Sequence, residues 1–438
     1  MMKFLRWSAV GTAMLLVLAA CTPTSPSESA GPSSAGESAA GSEGQDPTAI
    51  CDADEFGCVE IAAGDPIRLA SANTFSGGAL FLGLDVEYGI EVAVGDRGQI
   101  KGHDVEVVRQ DAGCGAAESG QTAAQAIVAD DTIAGVIGTT CSRTAVPAMP
   151  VLAEKGLTMI SASNTAPSLT DPAQADFGGP FYFRTAYNDL VQGAAVAKYA
   201  CEELDPRPQT AATVHDGSPY AQQLQQVFQD EFAAQCGGTI TSADAIQVGD
   251  AAFQGLLTTI CANHPDLLFY PIFDPEGGTL TQQTQEVSGC EDTILFGADG
   301  IKDAGFIAQA GPLAASLGMY FSGPDLNFGS VYTDDFLPKY KALSGTADVL
   351  APYHAHGFDA ANILMDAITE VSLVDGDGTL WIPRSAVREY VAALTDYAGL
   401  TGTLSCEDDG DCGSPYVSVA TLQGDPLTYT SVWTTRPE

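Results

Sequence analysis

Positive charge is scarce in this chain: 17 lysines and arginines stand against 56 aspartates and glutamates, a formal net charge of −39. Two of the basic residues, Lys3 and Arg6, lie within the first six positions. The remaining surface repels the phosphates of nucleic acids and the headgroups of anionic membranes. The charge therefore excludes a nucleic-acid partner, but it does not itself identify any partner.

Long apolar runs are missing after the first twenty residues, so we expect no membrane-spanning helix in the rest of the chain. Residues 1–20 combine a basic head, a short apolar core from Ala9 to Leu18 and a small-residue end, which is typical of a secretory signal peptide. The residues before Cys21 read Leu-Ala-Ala, like a lipobox. We predict that Cys21 carries lipid and anchors an exported chain to the outer face of the cytoplasmic membrane.

Residues 21–65 form the next segment, and most of it, to about Gln45, consists of Ser, Pro, Gly, Ala and Glu. Such a composition buries too little apolar surface to offset the entropy of ordering the chain. We therefore predict a flexible tether. The residues from 66 onward are enough for two domains at ~150 residues per domain.

Sequence motifs of common enzymes are also absent. We find no G-x-S-x-G, no H-E-x-x-H and no P-loop, and the five histidines are scattered. No C-x-x-C pair or zinc-finger spacing occurs, so we predict no metal site and no cofactor. Two acidic stretches, 375–378 and 407–411, are similar to calcium loops but lack the remaining EF-hand positions, and we interpret them as turns.

Cysteines, by contrast, are numerous. Ten follow Cys21, and an even number in an exported chain indicates disulfides. The sequence alone does not fix their connectivity, but each cysteine has one near neighbour. On that spacing we predict five short loops, closed by Cys51–Cys58, Cys114–Cys141, Cys201–Cys236, Cys261–Cys290 and Cys406–Cys412.

Strands and helices alternate through the folded part in two series, the second starting after Arg184. The predicted strands are Ile67–Ala72, Asp104–Arg109, Thr132–Gly138 and Leu157–Ile160 in the first series, and Thr210–Val214, Asp266–Tyr270 and Thr293–Phe296 in the second. Strands that alternate with helices of ten to fifteen residues are typical of parallel βαβ units. Two such series predict two lobes with a cleft between them.

Polar turns follow several of these strands, at the edge where parallel α/β sheets bind ligands. Residues 139–142 follow one strand, and Ser161–Thr165 follow the next. Ser142 lies where the N-cap of a helix is expected, a position that favours a bound anion. Asp299 follows a strand of the second series, where it is placed to pair with a cation. Each residue taken alone is equally typical of an ordinary cap or turn.

Together these residues resemble the leucine/isoleucine/valine-binding branch of the type I periplasmic solute-binding family, over about Pro66 to Trp433. The likeness is carried by D-A-G-C at 111–114, G-T-T-C-S at 138–142, M-I-S at 159–161, T-A-P at 165–167 and V-H-D at 214–216 with Tyr220. It implies an α/β fold of two Rossmann-like lobes joined by a multi-strand hinge, with the ligand in the interlobe cleft. The Cys114–Cys141 pair also matches a disulfide of that family.

The predicted lobes divide the chain into four segments. Lobe 1 takes residues 66–185 and 325–398, and lobe 2 takes residues 186–324 and 399–438. A ligand in the cleft would contact both lobes and draw them together.

The resemblance also implies how an amino acid would be held by its charged ends. Ser142 and Thr165 would bind the carboxylate, and Ser163 would help to bind the ammonium group. Asp299 stands where the family has an acidic residue for the ammonium group, and it is one methylene shorter than the usual glutamate. The sequence therefore predicts one half of the site in each lobe.

The remaining implied contacts are made to the body of the ligand. Tyr220 would close over it, and Thr140, Phe273 and Tyr353 would line the side-chain pocket. Leu82 and Phe273 stand where branched-chain binding proteins carry tyrosines. These departures keep an amino acid as the expected ligand class but leave the particular amino acid open.

We therefore expect a monomeric, extracytoplasmic solute-binding lipoprotein rather than an enzyme. It would capture a small amino acid, most consistently a branched-chain one, and deliver it to an ABC permease. Two alternatives stay open: the same fold binding an amide, urea or an organic acid, and a ligand-sensing protein. Arg143 is interpreted as a rim residue, or as the partner of a second acidic group on the ligand.

Overall fold

The computed structural model describes residues 47–437, so Cys21 and the predicted signal peptide lie outside the described residues. The helices are α1 (Pro47–Ala53), α2 (Leu80–Arg97), α3 (Ala117–Val128), α4 (Ser142–Glu154), α5 (Asp189–Glu202), α6 (Pro219–Cys236), α7 (Gln254–Cys261), α8 (Glu276–Gln283), α9 (Ala304–Leu317), α10 (Leu337–Ser344), α11 (His354–Val371) and α12 (Arg384–Ala392). No helix within the described range is long and apolar enough to cross a membrane.

The strands form two large sheets and two small ones. They are β1 (Cys58–Ile61), β2 (Ile67–Ala72), β3 (Gln99–Ile100), β4 (His103–Arg109), β5 (Ile133–Gly138), β6 (Met159–Ser161), β7 (Tyr182–Arg184), β8 (Thr210–His215), β9 (Thr239–Ala245), β10 (Leu267–Tyr270), β11 (Ile294–Gly297), β12 (Tyr320–Pro324), β13 (Leu373–Val374), β14 (Leu380–Pro383), β15 (Tyr397–Ala398), β16 (Thr403–Leu404), β17 (Val417–Gln423) and β18 (Thr428–Thr434).

Lobe 1 is built on a sheet in the order β3-β4-β2-β5-β6-β7, parallel except for β3. Its central strand β5 is buried along its whole length, because its apolar run packs against helices on both faces. Helices α2 and α11 cover one face, and α3 and α4 cover the other. The strand ends of this sheet carry both polar turns identified in the sequence.

Lobe 2 is built on a sheet in the order β18-β17-β12-β11-β10-β8-β9. The strands from β8 to β12 are parallel, and β17 and β18 add an antiparallel edge. Helices α5 and α6 pack on one face, and α7, α8 and α9 pack on the other. Two parallel sheets with helices on both faces confirm the predicted fold class.

The N-terminal boundary of the folded part differs from the prediction. Residues 47–65 were placed in the tether, but they form α1 and β1, and β1 pairs with β14 in antiparallel register. Val59 and Ile61 are buried in the lobe 1 core. Little in the sequence indicated a strand here, because only Val59 and Ile61 are buried in this segment and Glu60 stands between them. The predicted tether therefore does not extend to residue 65.

The last boundary between the lobes also lies later than predicted. Residues from 399 onward were assigned to lobe 2, yet Leu404 and Cys412 are buried in the lobe 1 core. Asp359 of α11 fixes this segment, because its carboxylate accepts the N–H groups of Leu400 (2.7 Å) and Thr401 (2.9 Å). The chain enters lobe 2 for the last time only at β17.

All five predicted disulfides are formed, so the pairing between sequence neighbours is confirmed. Cys114–Cys141 joins the turn after β4 to the turn after β5, at the edge of the cleft. The other four bonds are Cys51–Cys58, Cys201–Cys236, Cys261–Cys290 and Cys406–Cys412.

The chain passes between the lobes three times, and the first and last passages are joined side by side. Arg184 at the end of β7 donates its N–H to the carbonyl of Gly410 and accepts the N–H of Cys412, each at 3.0 Å. Its fully buried guanidinium forms an ion pair with Asp411. Burial raises the pKa of Asp411, but the charge of Arg184 and hydrogen bonds from Arg184, Asn188 and Thr170 outweigh that effect and hold the pKa below its usual range. This pair is the polar centre of the hinge.

We predict that Asp411→Asn lowers the free energy of unfolding by about 3–5 kcal/mol, because it leaves Arg184 buried without its counter-charge. The control variant Asp131→Asn removes the exposed partner of Lys155 and should change stability far less. Urea unfolding curves for both variants measure the difference. Equal losses of unfolding free energy in the two variants would show that the buried pair stabilises the protein no more than an exposed pair does.

Candidate functional site

The two lobes meet around a small cavity of ≈ 10 Å³, which has room for about one water molecule. Nine residues line it: Leu82, Thr140, Cys141, Ser142, Ser163 and Tyr353 from lobe 1, and Tyr220, Phe273 and Asp299 from lobe 2. Seven of the eight ligand-binding residues predicted from the sequence are in this set, and Thr165 is the eighth. The lobes are therefore closed over the predicted site.

The turn after β5 is held tightly against β2. Gly138 has φ +142°, and a Cβ at this position would lie 2.5 Å from the carbonyl oxygen of Ala72, so glycine permits the close approach. The hydroxyl of Thr140 donates to Asn73 Oδ1 at 3.1 Å and accepts the N–H of Thr74 at 3.0 Å. These contacts fix one wall of the cavity.

Ser142 was predicted to be the N-cap of the following helix, and that detail is wrong. Helix α4 begins at Ser142 itself, and Cys141 is the extended residue that precedes it. The hydroxyl of Ser142 accepts the N–H of Ala166 at 3.4 Å, which ties the two polar turns together. The side chain still lies at the helix start, where the helix dipole favours an anion.

The turn after β6 contributes Ser163 and Thr165. Ser163 donates its hydroxyl to the carbonyl oxygen of Thr140 at 2.9 Å. Thr165 does not line the cavity; it is 1% exposed, and its hydroxyl has no hydrogen-bond partner among the described residues. A buried hydroxyl without a well-formed hydrogen bond is costly, and this one neighbours the carboxyl of Asp189, whose pKa is raised by burial and lowered by the hydroxyl.

Asp299 begins a short helical turn just after β11 and points into the cavity. Its Oδ1 accepts hydrogen bonds from Gln192 Nε2 (2.7 Å) and the Tyr220 hydroxyl (3.0 Å). Its Oδ2 accepts the Tyr353 hydroxyl from lobe 1 at 2.9 Å. Burial raises the pKa of Asp299, and these three donors oppose the rise. In the closed state the carboxylate is thus already well supplied with donors.

Asp189 is a candidate site residue that the sequence analysis missed. It is the first residue of α5, fully buried, and neither carboxylate oxygen has a hydrogen-bond partner among the described residues. Burial and the nearby charge of Asp299 raise its pKa well above the usual range. Its N–H donates to the carbonyl oxygen of Thr165 at 2.9 Å, and the Thr165 side chain and the charge of Arg184 lie close enough to oppose the rise in its pKa. The signal was an acidic residue in the polar turn after β7, but acids at helix starts are common for electrostatic reasons alone.

Lys302 adds one positive charge to this region. It is 4% exposed, and its ammonium group lies 3.4 Å from the Ser418 hydroxyl. Burial lowers the pKa of Lys302 to about 8, while the charges of Asp299 and Asp325 oppose that shift. The site does not fully compensate its two buried carboxyls, because burial raises the pKa of both Asp189 and Asp299 even though the charge of Arg184 opposes the rise at Asp189. Its electrostatics therefore favour a bound cation.

The walls of the cavity between these charged ends are apolar or aromatic. The rings of Tyr220 and Phe273 lie 5.1 Å apart, and Leu82 faces them from lobe 1. The site thus has a helix start with hydroxyls at one end, carboxylates at the other and an apolar wall between them. This combination suits a small molecule that carries both charges.

Comparison with known proteins agrees with this geometry. The sequence profile of the family described as periplasmic binding protein matches residues 66–421. The Leu/Ile/Val-binding protein of Escherichia coli K12 is 29% identical over 269 residues, which cover 60% of this chain and 70% of that protein. The leucine-specific-binding protein of Salmonella typhimurium is 30% identical over 260 residues, which cover 58% and 67%.

Solved structures show the same fold. A leucine-binding protein of Thermotoga maritima aligns with a TM-score of 0.73 and 20% identity, over 85% of this chain and 99% of that one. A solute-binding protein of Rhodopseudomonas palustris, in complex with 4-hydroxybenzoate, aligns with a TM-score of 0.72 and 16% identity, over 85% and 97%. The family match covers most of the described chain and confirms the resemblance read from the sequence: this protein belongs to the periplasmic binding protein family.

Proposed function

We propose that this protein binds a small zwitterionic amino acid between its lobes and delivers it, unchanged, to an ABC importer. The observation that carries the proposal is the pairing of a helix start at Ser142 with the buried carboxylates Asp189 and Asp299. The helix start favours the carboxylate of a ligand, and the two buried carboxylates favour its ammonium group. Within this arrangement Asp189 and Thr165 are neighbours that form no hydrogen bond of normal geometry, and a ligand ammonium group would supply the positive charge that the Asp189 carboxyl lacks.

A branched-chain amino acid is the member of this class that we favour. Leu82 and Phe273 supply apolar surface beside the charged groups, and two relatives are leucine-binding or Leu/Ile/Val-binding proteins. The closed cavity is smaller than any amino acid, so the lobes must part to admit one. Closing around it would bury the ligand against both lobes.

Contacts outside the cavity support a closing motion of this kind. Arg143 of lobe 1 donates to the carbonyl oxygen of Asp216 in lobe 2 at 3.0 Å, and it lies 3.8 Å from Asp216 Oδ1. Ser168 and Gln223 form a reciprocal pair across the lobes at 2.8 and 2.7 Å. Arg143 is therefore bonded to the protein itself here, which favours the rim interpretation over a contact with a second acidic group of the ligand.

An organic acid or a neutral amide is the alternative, since a structural neighbour was solved with 4-hydroxybenzoate. Such ligands carry no ammonium group. They would leave Asp189 and Asp299 buried without a compensating cation, which is unfavourable. The carboxylates thus argue for an amino acid. A sensing role would use the same site and differ only in the membrane partner.

Export and anchoring complete the proposal. Cys21 would carry the lipid and hold the protein at the outer face of the cytoplasmic membrane, as a monomer next to its permease. Release of a Cys21→Ser variant from the membrane fraction is the measurement that checks the anchor, and unchanged membrane association would contradict it.

A thermal-shift panel tests the ligand class. We expect L-leucine, L-isoleucine or L-valine to stabilise the protein by about 2.7 kcal/mol at a hundredfold excess over Kd. The deaminated analogue 4-methylpentanoate, acetamide, urea and 4-hydroxybenzoate should have little effect. If one of these four compounds raises the melting temperature and no amino acid does, the proposed ligand class is wrong.

Variants of the charged groups test how the ligand is held. Asp189→Asn and Asp299→Asn should each weaken L-leucine binding by about 2–5 kcal/mol, because the ammonium group loses a buried partner. Ser142→Ala should cost less, about 1.5–3 kcal/mol, since the helix start still holds the carboxylate. Isothermal titration measures the three losses. The weak binding expected of 4-methylpentanoate, which has no ammonium group, is the control, and neither aspartate change should weaken it further.

The same carboxylates predict how binding depends on pH. The pKa of Asp189 and that of Asp299 are raised, and an ammonium group binds the ionised form. Affinity should therefore fall as the pH is lowered through those raised pKa values, and Asp189→Asn should flatten the profile. Parent protein with a flat profile would show that neither carboxylate changes its protonation on binding.

The contacts between the lobes predict a kinetic effect. Arg143→Ala and Gln223→Ala should each raise the dissociation rate of L-leucine, about fivefold for the loss of a hydrogen bond worth ~1 kcal/mol. Gln226→Ala is the matched control, because this glutamine lies on the exposed side of the same helix as Gln223 and bonds only Asp230. Stopped-flow displacement measures the rates. Equal rates in Gln223→Ala and Gln226→Ala would show that these contacts do not stabilise closure.

A further inference from the structure

Asp85 is a fully buried carboxylate on α2 that lies outside the set of residues lining the cavity. Its Oδ2 accepts the backbone N–H groups of Tyr353 (2.8 Å) and His354 (2.7 Å), at the start of α11. Its Oδ1 accepts the hydroxyl of Tyr340 at 2.6 Å. Tyr353, the N-cap residue of α11, makes no side-chain cap of its own. Asp85 on α2 therefore serves as the acceptor for the free N–H groups at this helix start.

The imidazole of His354 completes the contacts of this carboxylate. Its Nδ1 lies 3.0 Å from Asp85 Oδ2, and its Nε2 lies 2.7 Å from the hydroxyl of Tyr332. A neutral ring with its proton on Nδ1 satisfies both contacts, because Nε2 then accepts from the tyrosine. The charge of Asp85 is therefore balanced by hydrogen-bond donors and by the positive end of α11.

The spacing of the two helices makes this contact rigid. Gly89 on α2 lies so close to α11 that a Cβ there would be 1.9 Å from the carbonyl oxygen of His354. The backbones thus touch one turn away from Asp85. Since protein interiors are close-packed, neither helix has free space in which to shift relative to the other.

Tyr353, whose backbone Asp85 holds, also lines the cavity. Tyr353 is 1% exposed and its hydroxyl donates to Asp299 Oδ2 at 2.9 Å, across the cleft. Its backbone N–H is one of the two that Asp85 accepts. One carboxylate in lobe 1 therefore fixes the backbone of the residue that meets a carboxylate in lobe 2.

We propose that Asp85 is a positioning residue of the cleft, which sets the place of Tyr353 so that its hydroxyl reaches Asp299 when the lobes close. This inference rests on the proposed function, because its effect on affinity is read with an amino acid. Asp85 acts through Tyr353 and touches no part of the cavity itself. Its contribution should disappear when the Tyr353 hydroxyl is absent.

A double-mutant cycle with L-leucine as the probe tests this. Tyr353→Phe removes a hydrogen bond to a charged group and should raise Kd by about tenfold or more. Asp85→Asn should raise Kd by a similar factor. The double variant should bind like either single variant, because both act on one contact. If the two increases in Kd multiply in the double variant, the proposal is overturned. A folded Asp85→Asn protein that binds L-leucine like the parent would overturn it as well.

Asp359 provides the matched structural control. It is also fully buried and also accepts two backbone N–H groups, but those belong to Leu400 and Thr401, and it lines no part of the cavity. Asp359→Asn should lower Tm as Asp85→Asn does, and leave the Kd for L-leucine within about twofold. A rise in Kd as large as that of Asp85→Asn would show that lost stability alone explains both.

A milder variant covers the case in which Asp85→Asn does not fold. Tyr340→Phe keeps the carboxylate and removes only one of its donors, so we expect a two- to fivefold rise in Kd, roughly the value of one hydrogen bond. The rise should again vanish in the Tyr353→Phe background. If it persists there, Asp85 does not act through Tyr353.

Hydrogen exchange separates this proposal from the proposed function. If L-leucine does not bind the parent protein, the ligand assignment fails, but the contact between the lobes can still be measured. Exchange at residues 299–302 should be faster in Asp85→Asn and in Tyr353→Phe than in the parent, and unchanged in Asp359→Asn. Unchanged exchange in Asp85→Asn would overturn the positioning role whatever the ligand is.

Discussion

The buried ion pair between Arg184 and Asp411 is the interaction on which the arrangement of the two lobes depends. It joins two of the three passages of the chain between the sheets. The same guanidinium donates to the carbonyl oxygen of Ala166 at 2.8 Å, in the turn that carries Thr165. Asp189 begins α5 only five residues after Arg184. The pivot of the lobes and the polar end of the cleft are therefore built from one connected piece of structure.

The charges of the cleft are divided between the lobes, and closure is what brings them together. Lobe 1 presents a helix start at Ser142, and lobe 2 presents Asp299, with Lys302 behind it. Electrostatic interactions strengthen when water is excluded, so under the proposed function the two halves would act on a ligand most strongly in the closed state. Asp189 marks the point where burial disfavours a charge that the protein's own groups, Thr165 and Arg184, only partly compensate.

The sequence was sufficient for much of the fold because buried parallel strands leave continuous apolar runs, and β2 was predicted to the residue. It also located the cavity, since polar turns at strand ends meet at one edge of a sheet. It did not identify Asp189, whose position at a helix start has an ordinary explanation. Nor did it identify Asp85, because its partner Tyr353 is 268 residues away and no local pattern records such a contact. Long-range polar pairs are visible only once the chain is folded.

The N-terminal strand has a mechanical consequence. Strand β1 is held in lobe 1 by its pairing with β14, and the Cys51–Cys58 bond ties α1 to that strand. Any force that reaches the folded part from the preceding residues is thus taken up by lobe 1, across a small antiparallel sheet. Lobe 2 does not lie on that path. If the chain is held at its beginning, lobe 1 stays in place and lobe 2 moves relative to it when the cleft opens.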